Sequence, residues 1–251
     1  MVRISHTVCV EPVPRRWFEQ MLAELYLLAQ DTRAHGERIL LPGGRDVPGL
    51  RLLKGTHLTP GAVYETADER SRTTLSLRSW TRGSTLRVEQ VVTDEEMTLG
   101  VEAALRSVDH PREAEIRGCV RYPGRWESLL RLEGRARVDL DAWWRAAKSR
   151  RPVHAPLTAT LTHRLGEATV RAWPRTRPDG RWDVRVVLSA RGRSFLRPLA
   201  AVGLPAFRGR LGHTFEKSID GAAEQWNETV PHATARAPHE LRSSVLESPQ
   251  E

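Results

Sequence analysis

The run Trp182, Asp183, Val184, Arg185, Val186, Val187, Leu188 decides how the rest of this chain is read. Its alternation puts Trp182, Val184, Val186 and Leu188 on one face of a strand and Asp183, Arg185 and Ser189 on the other. The first face is apolar and belongs to a core. After a break at Arg191, Gly192 and Arg193, apolar residues recur at Leu204, Phe207, Leu211, Phe215, Ile219, Ala222 and Trp226. Steps of three and four place them along one side of a long amphipathic helix. Pro205 suits its first turn. Gly209, Gly212 and Gly221 each lower helix propensity by roughly 1 kcal/mol relative to Ala, so tertiary packing has to hold this helix in place.

Working outward, Leu157, Ala159, Leu161 and His163 share a strand face opposite Thr158, Thr160 and Thr162. Gly166 turns the chain into Ala168, Val170 and Ala172, and a loop rich in Pro and Arg over residues 174–180 returns it to Trp182. Residues 135–140 alternate, and Asp141 is placed to cap a short helix carrying Trp143, Trp144 and Ala147. Ala114, Ile116, Gly118, Val120 and Tyr122 form one arm of a hairpin. Pro123 and Gly124 make its turn, and Trp126, Leu130 and Leu132 follow in the other arm.

At the N-terminus, residues 3–10 alternate as a strand. Pro12 and Pro14 close it before Trp17, Phe18, Met21, Leu22, Leu25, Leu28 and Ala29 trace the buried side of a helix. Between residues 31 and 55 the pattern fails. Short strands centred on 61–66, 73–80, 84–93 and 96–105 then read as an antiparallel meander. The polar, Pro-containing segment 108–112 suggests a division into residues 1–112, 113–229 and a mobile tail, 230–251. The fold class is α+β: a mainly antiparallel, curved sheet against a long C-terminal helix. The strand and helix at 135–149 echo those at 3–30, which leaves open two related strand-helix units.

A chain of 251 residues with 39% hydrophobic residues can bury a proper core. No apolar run approaches a bilayer span and the first residues lack a secretory signal, so the expected location is cytoplasmic. Cys9 and Cys119 sit in separate strand-like runs, which favours reduced thiols over a disulfide or a metal pair. The net charge is +8, and only Lys54, Lys148 and Lys217 are lysines; the other 36 basic residues are arginines. Ten arginines between Arg171 and His213 face only Asp179 and Asp183, a local surplus as large as that of the whole chain. A solvated arginine surface is the plain reading. A site for an acidic protein or nucleic acid is the functional one, with Arg171, Arg185, Arg191, Arg193 and Arg197 as its candidates.

The common catalytic signatures are missing: no nucleophile elbow, no phosphate loop, no dinucleotide fingerprint and no zinc motif. No cofactor or metal is implied. His163, on the apolar side of its strand, and His213, beside the helix stripe, are placed to orient a ligand or shuttle a proton, although a histidine bonded to a neighbour is the commoner case. Eight tryptophans against four phenylalanines is unusual. Trp126, Trp182 and Trp226 fall on interior faces, where large aromatics usually pack and sometimes line a cavity.

The run from Trp182 to Leu199, with the helix through Phe215 and Asn227, resembles the closing strand and C-terminal helix of the START-like (SRPBCC) superfamily, which includes polyketide cyclases and aromatases. The strand and helix at residues 3–30 fit that helix-grip plan. The resemblance covers roughly 45 residues and carries no catalytic motif. It implies a curved sheet around a long helix, with a cavity between them for a lipid- or polyketide-like ligand. Trp126, His163, Trp182, Phe207, Leu211 and His213 are the pocket candidates on this reading. Binding of a small hydrophobic molecule is thus one expected function. A non-enzymatic module using the arginine-rich surface is the alternative.

Overall fold

A computed structural model describes residues 1–67, 72–94, 97–122, 131–149, 154–192 and 208–247. In chain order the first elements are β1 (Val2–Val10), α1 (Arg15–Asp31), β2 (Arg33–His35), β3 (Arg38–Leu40), β4 (Asp46–Lys54), β5 (Val63–Ala67) and β6 (Arg72–Trp80). Then come β7 (Thr85–Thr93), β8 (Thr98–Arg106), β9 (Glu113–Arg121), β10 (Leu132–Asp139), α2 (Leu140–Lys148) and β11 (Leu157–His163). The last are β12 (Gly166–Thr176), β13 (Trp182–Gly192), α3 (Arg208–Thr234) and α4 (Pro238–Glu247). Strands outweigh helices, and the strand pairings described are antiparallel.

The chain divides into two compact units. One contains Met1–Val13 and Leu129–Ala235, the other Pro14–Ser128 and Arg236–Glu251. This differs from a division at residue 112 with a free tail, for two physical reasons. β1 pairs along its whole length with β13, Val2 opposite Ala190 and Val10 opposite Trp182, so the N-terminal strand belongs with the last one. The tail forms α4, whose Arg242 pairs with Glu24 and Asp31 of α1. The Trp17 indole N–H donates to the Arg236 carbonyl at 2.9 Å, tying the same helix to the approach to α4.

In the first unit the strand order is β1-β13-β12-β11-β10. Register puts Val8, Val10, Val170, Ala172, Trp182, Val184 and Val186 on one side. There they pack with Trp143, Trp144 and Ala147 of α2 and with Phe215, Ile219 and Ala223 of α3. Trp143 and Trp182 meet edge to face, 6.1 Å between centroids. The α2 N-cap is Asp139 rather than Asp141: its carboxylate accepts the Ala142 N–H at 2.7 Å, and Asp141 falls within the first turn. Asp141 there and Arg145 with Lys148 in the last turn both complement the helix dipole.

Helix α3 keeps the expected amphipathicity, but its contact stripe continues in steps of four, through Ala223 to Asn227, where the sequence pattern steps to Ala222 and Trp226. The reason is a polar contact. The Asn227 side chain accepts the Glu11 N–H at 2.8 Å and donates to the Cys9 carbonyl at 2.9 Å, so its amide pairs with the outer edge of β1 as a neighbouring peptide would. Trp226 consequently stands at the flank, 41% exposed, with its indole N–H donating to the Glu11 carbonyl.

In the second unit the order runs from β9 through β8, β7, β6, β5, β4 and β3 to β2, the meander expected for 61–105 extended at both ends. Its core is Ile39, Ala62, Tyr64 and Leu77, each under 5% exposed. Tyr26 of α1 stacks on Trp80 of β6 at 5.0 Å. Gly55 sits at φ +85°, where a Cβ would come within 3.0 Å of Ala62 backbone, so only glycine fits that turn.

Candidate functional site

The side of the first unit's sheet away from α2 and α3 carries a different set of residues. Strand alternation sends Arg3 and Thr7 of β1, Asp183, Arg185, Val187 and Arg191 of β13, and Arg171, Trp173 and Arg175 of β12 to this outer face. Thr158 and Thr160 of β11 follow, with Arg135 and Arg137 of β10 beyond them. Arg3, Thr7, Arg171, Arg175 and Arg185 are exposed, and Trp173 is half-buried. The register aligns Trp173 with Arg185 and Arg171 with Val187. Val187 is only 3% exposed although it lies on this face; arginine stems spread over apolar surface while their guanidinium groups stay in water.

Two grooves lie along β12 and β13 on this face. The larger, about 450 Å³, is lined by Arg3, Thr7, Trp173, Arg175, Asp183 and Arg185, with Val187 among its lining residues. The smaller, about 260 Å³, is lined by residues including Glu167, Thr169, Arg171, Ser189 and Arg191. Asp183 is paired with Arg177 at 3.3 Å and Glu167 with Arg191 at 3.1 Å. Arg3, Arg171, Arg175 and Arg185 have no ion pair among the described residues. Four uncompensated guanidinium groups therefore border a track extending from Asp183 to Arg191, on the order of 27 Å at the usual rise of an antiparallel strand.

The sequence candidates separate once the strands are paired. Arg171, Arg185 and Arg191 come together on the outer face; Arg193 and Arg197 lie outside the described residues. Of the pocket candidates, Trp126 and Phe207 also lie outside them. Trp182 is 7% exposed and its ring is taken up by packing against Trp143. Leu211 is 38% exposed and His213 is exposed, both away from the Phe215, Ile219 and Ala223 contact. His163 is half-buried at the end of β11, its Nδ1 accepting the Leu165 N–H at 3.3 Å. The two grooves along β12 and β13 lie on the opposite side of the sheet from α3. Sequence reasoning missed Arg3, Arg175 and Trp173. Arg3 could not be assigned without knowing that β1 neighbours β13, whereas the alternation Arg171, Trp173, Arg175 was readable.

The second unit contains a partly buried hydrogen-bond chain that periodicity could not reveal. The Thr32 hydroxyl donates to the Ala29 carbonyl at 2.6 Å and lies 2.8 Å from His57 Nε2. With that proton committed, Nε2 must be the donor and Nδ1 the acceptor from the Tyr64 hydroxyl at 2.9 Å. The Tyr64 oxygen in turn accepts the Leu58 N–H. Burial lowers the His57 pKa, against the opposing effect of Thr32 backbone, and burial raises that of Tyr64, against the Leu58 hydrogen bond. Each group in the chain spends its proton on the next, which makes it a brace between the end of α1 and the β4–β5 connection.

Cys9 and Cys119 are free, half-buried thiols. Among the described residues no group of three His, Cys, Asp or Glu side chains is arranged to hold a metal ion, and no helix is long and apolar enough to cross a membrane. Comparison with protein-family models finds none that matches the chain. Comparison with curated proteins finds no match either.

Proposed function

We propose that this protein is a binding module which holds a polyanionic partner on the outer face of its β1-β13-β12-β11-β10 sheet. The observation that carries the reading is the cluster of Arg3, Arg171, Arg175 and Arg185, unpaired among the described residues, along two adjoining grooves. An exposed arginine normally finds a carboxylate nearby or is dispersed. Four on one face sum their potentials, and on binding they release cations condensed on a polyanion, with a gain in entropy. Asp183 and Glu167 are already engaged by Arg177 and Arg191 and do little to offset this field. The arginine fork adds bidentate geometry suited to phosphate or carboxylate.

Retention on immobilised heparin at increasing salt tests this. Apparent affinity should fall linearly on a log–log plot against salt, and the triple variant Arg171→Gln/Arg175→Gln/Arg185→Gln should flatten that slope by about 2. Salt-indifferent retention, or a triple variant retained like the unaltered protein, defeats the proposal. Uptake of an apolar fluorescent probe that ignores both salt and the arginine changes would instead favour the small hydrophobic ligand expected from the START-like resemblance.

A further inference from the structure

Resting on that reading, we infer that the partner is single-stranded nucleic acid, gripped by its phosphates at the arginines and by an unstacked base on Trp173. The decisive placement is along β12, where Arg171, Trp173 and Arg175 occupy successive outward positions, with Arg185 across the ladder from Trp173. A single strand presents the complementary alternation, anionic phosphate and flat base. The indole supplies a stacking surface between cations, and a guanidinium beside it adds a second planar partner.

Other polyanions use this face less well. An acidic peptide or a sulfated glycan engages the arginines but leaves the Trp173 ring without a planar partner. Thr158, Thr160 and Thr169 form a hydroxyl row beside Arg171. Hydroxyls both donate and accept, as base edges and ribose do, whereas carboxylate side chains only accept. A duplex can meet this face only through its backbone phosphates. Five strands at about 4.8 Å spacing span roughly 19 Å, against a major groove of about 12 Å. The face cannot enter the groove, and the duplex keeps its bases stacked away from Trp173.

The test is fluorescence anisotropy with a mixed-sequence oligonucleotide of about 15 nucleotides, as RNA, as DNA and as the DNA duplex. Both single strands share the chemistry inferred; tighter binding of the RNA identifies ribose contacts, and equal or tighter binding of the DNA identifies a sugar-indifferent site. The single strands should bind more tightly than the duplex at equal salt. Trp173→Leu, which keeps apolar volume, should weaken single-strand binding roughly 5- to 100-fold and lower heparin retention by a much smaller factor, while Trp173→Phe should restore most of the single-strand loss. Photocrosslinking of a 5-bromouracil oligonucleotide to the unaltered protein should label the peptide containing Trp173, a readout that does not depend on a variant folding. Heparin retention without single-strand preference, an undiminished Trp173→Leu variant, equal competition by polyglutamate, or crosslinks confined to residues 14–122 would each overturn the inference while leaving polyanion binding standing. Loss of heparin retention as well would remove the reading beneath it.

Discussion

Arginine is spread through both units of this protein, but its neighbours differ. In the unit built on β2 to β9, successive strands match guanidinium to carboxylate: Arg72 with Glu65 at 3.0 Å, Arg78 with Glu89, Arg82 with Asp109 at 2.8 Å and Arg106 with Glu113 at 3.6 Å. On the outer face of the other unit, Arg3, Arg171, Arg175 and Arg185 point into grooves, and the two carboxylates among the lining residues are held by other arginines. A compositional bias toward arginine would act alike on both units. The difference lies in where the acids were put, and it is this that turns a basic composition into a localised field. Exposed pairs contribute at most about 1 kcal/mol each to stability, so the matched ladder bears on the field along those strands more than on stability; elsewhere in that unit Arg16, Arg33, Arg51, Arg112 and Arg121 have no ion pair among the described residues.

The largest expected effect separates the two faces of the first unit's sheet. Trp182→Ala, beneath α2 and α3, should lower the urea-derived unfolding free energy by about 3–5 kcal/mol, whereas Trp173→Leu on the outer face should cost about 1 kcal/mol. Equal losses would mean that Trp173 is core and the grooves incidental. Next comes the arginine contrast itself. Arg171→Gln/Arg175→Gln/Arg185→Gln should lower heparin affinity at low salt by at least about tenfold, while Arg72→Gln/Arg78→Gln/Arg106→Gln, removing equal charge from the matched unit, should change it by less than about twofold. Similar losses in both variants would show that only net charge matters.

A smaller effect is expected at the β1 edge. Asn227→Ala strands the Glu11 N–H and the Cys9 carbonyl, and should cost about 1–3 kcal/mol in thermal or urea unfolding. The smallest belongs to the hydrogen-bond chain of the matched unit. Because burial depresses the folded-state pKa of His57, the unfolded chain takes up a proton first as pH falls below about 6.5. The stability of that unit should therefore be full above that pH, decline below it, and level off once the folded pKa has been passed. His57→Gln should abolish this part of the pH dependence, and an unchanged melting profile from pH 7 to 5 would show that His57 contributes nothing to it.

Much of the strand content was legible because period-two patterning is strong where one side of a sheet is buried: Trp182 to Leu188 and Leu157 to His163 form strands as read. The pattern failed between residues 31 and 55 because β2 and β3 have three residues each and β4, though nine residues long, is largely exposed and pairs with β3 across a register shift. Helix α3 was legible as a helix, but its contact face was set by Asn227 meeting β1, a tertiary contact with no local signal. The arginine surplus between residues 171 and 213 was visible. Its division into paired and unpaired groups was not, since partners such as Arg191 and Glu167 lie 24 positions apart and meet only once the register is fixed.

The amide of Asn227 has one more consequence. By imitating a strand at Cys9 and Glu11, it blocks the place where a second molecule could add its own backbone to the sheet. A chain that lost this plug would keep its arginines and much of its core yet offer a templating edge, so its first symptom would be self-association, seen as a rising particle size before any loss of secondary structure.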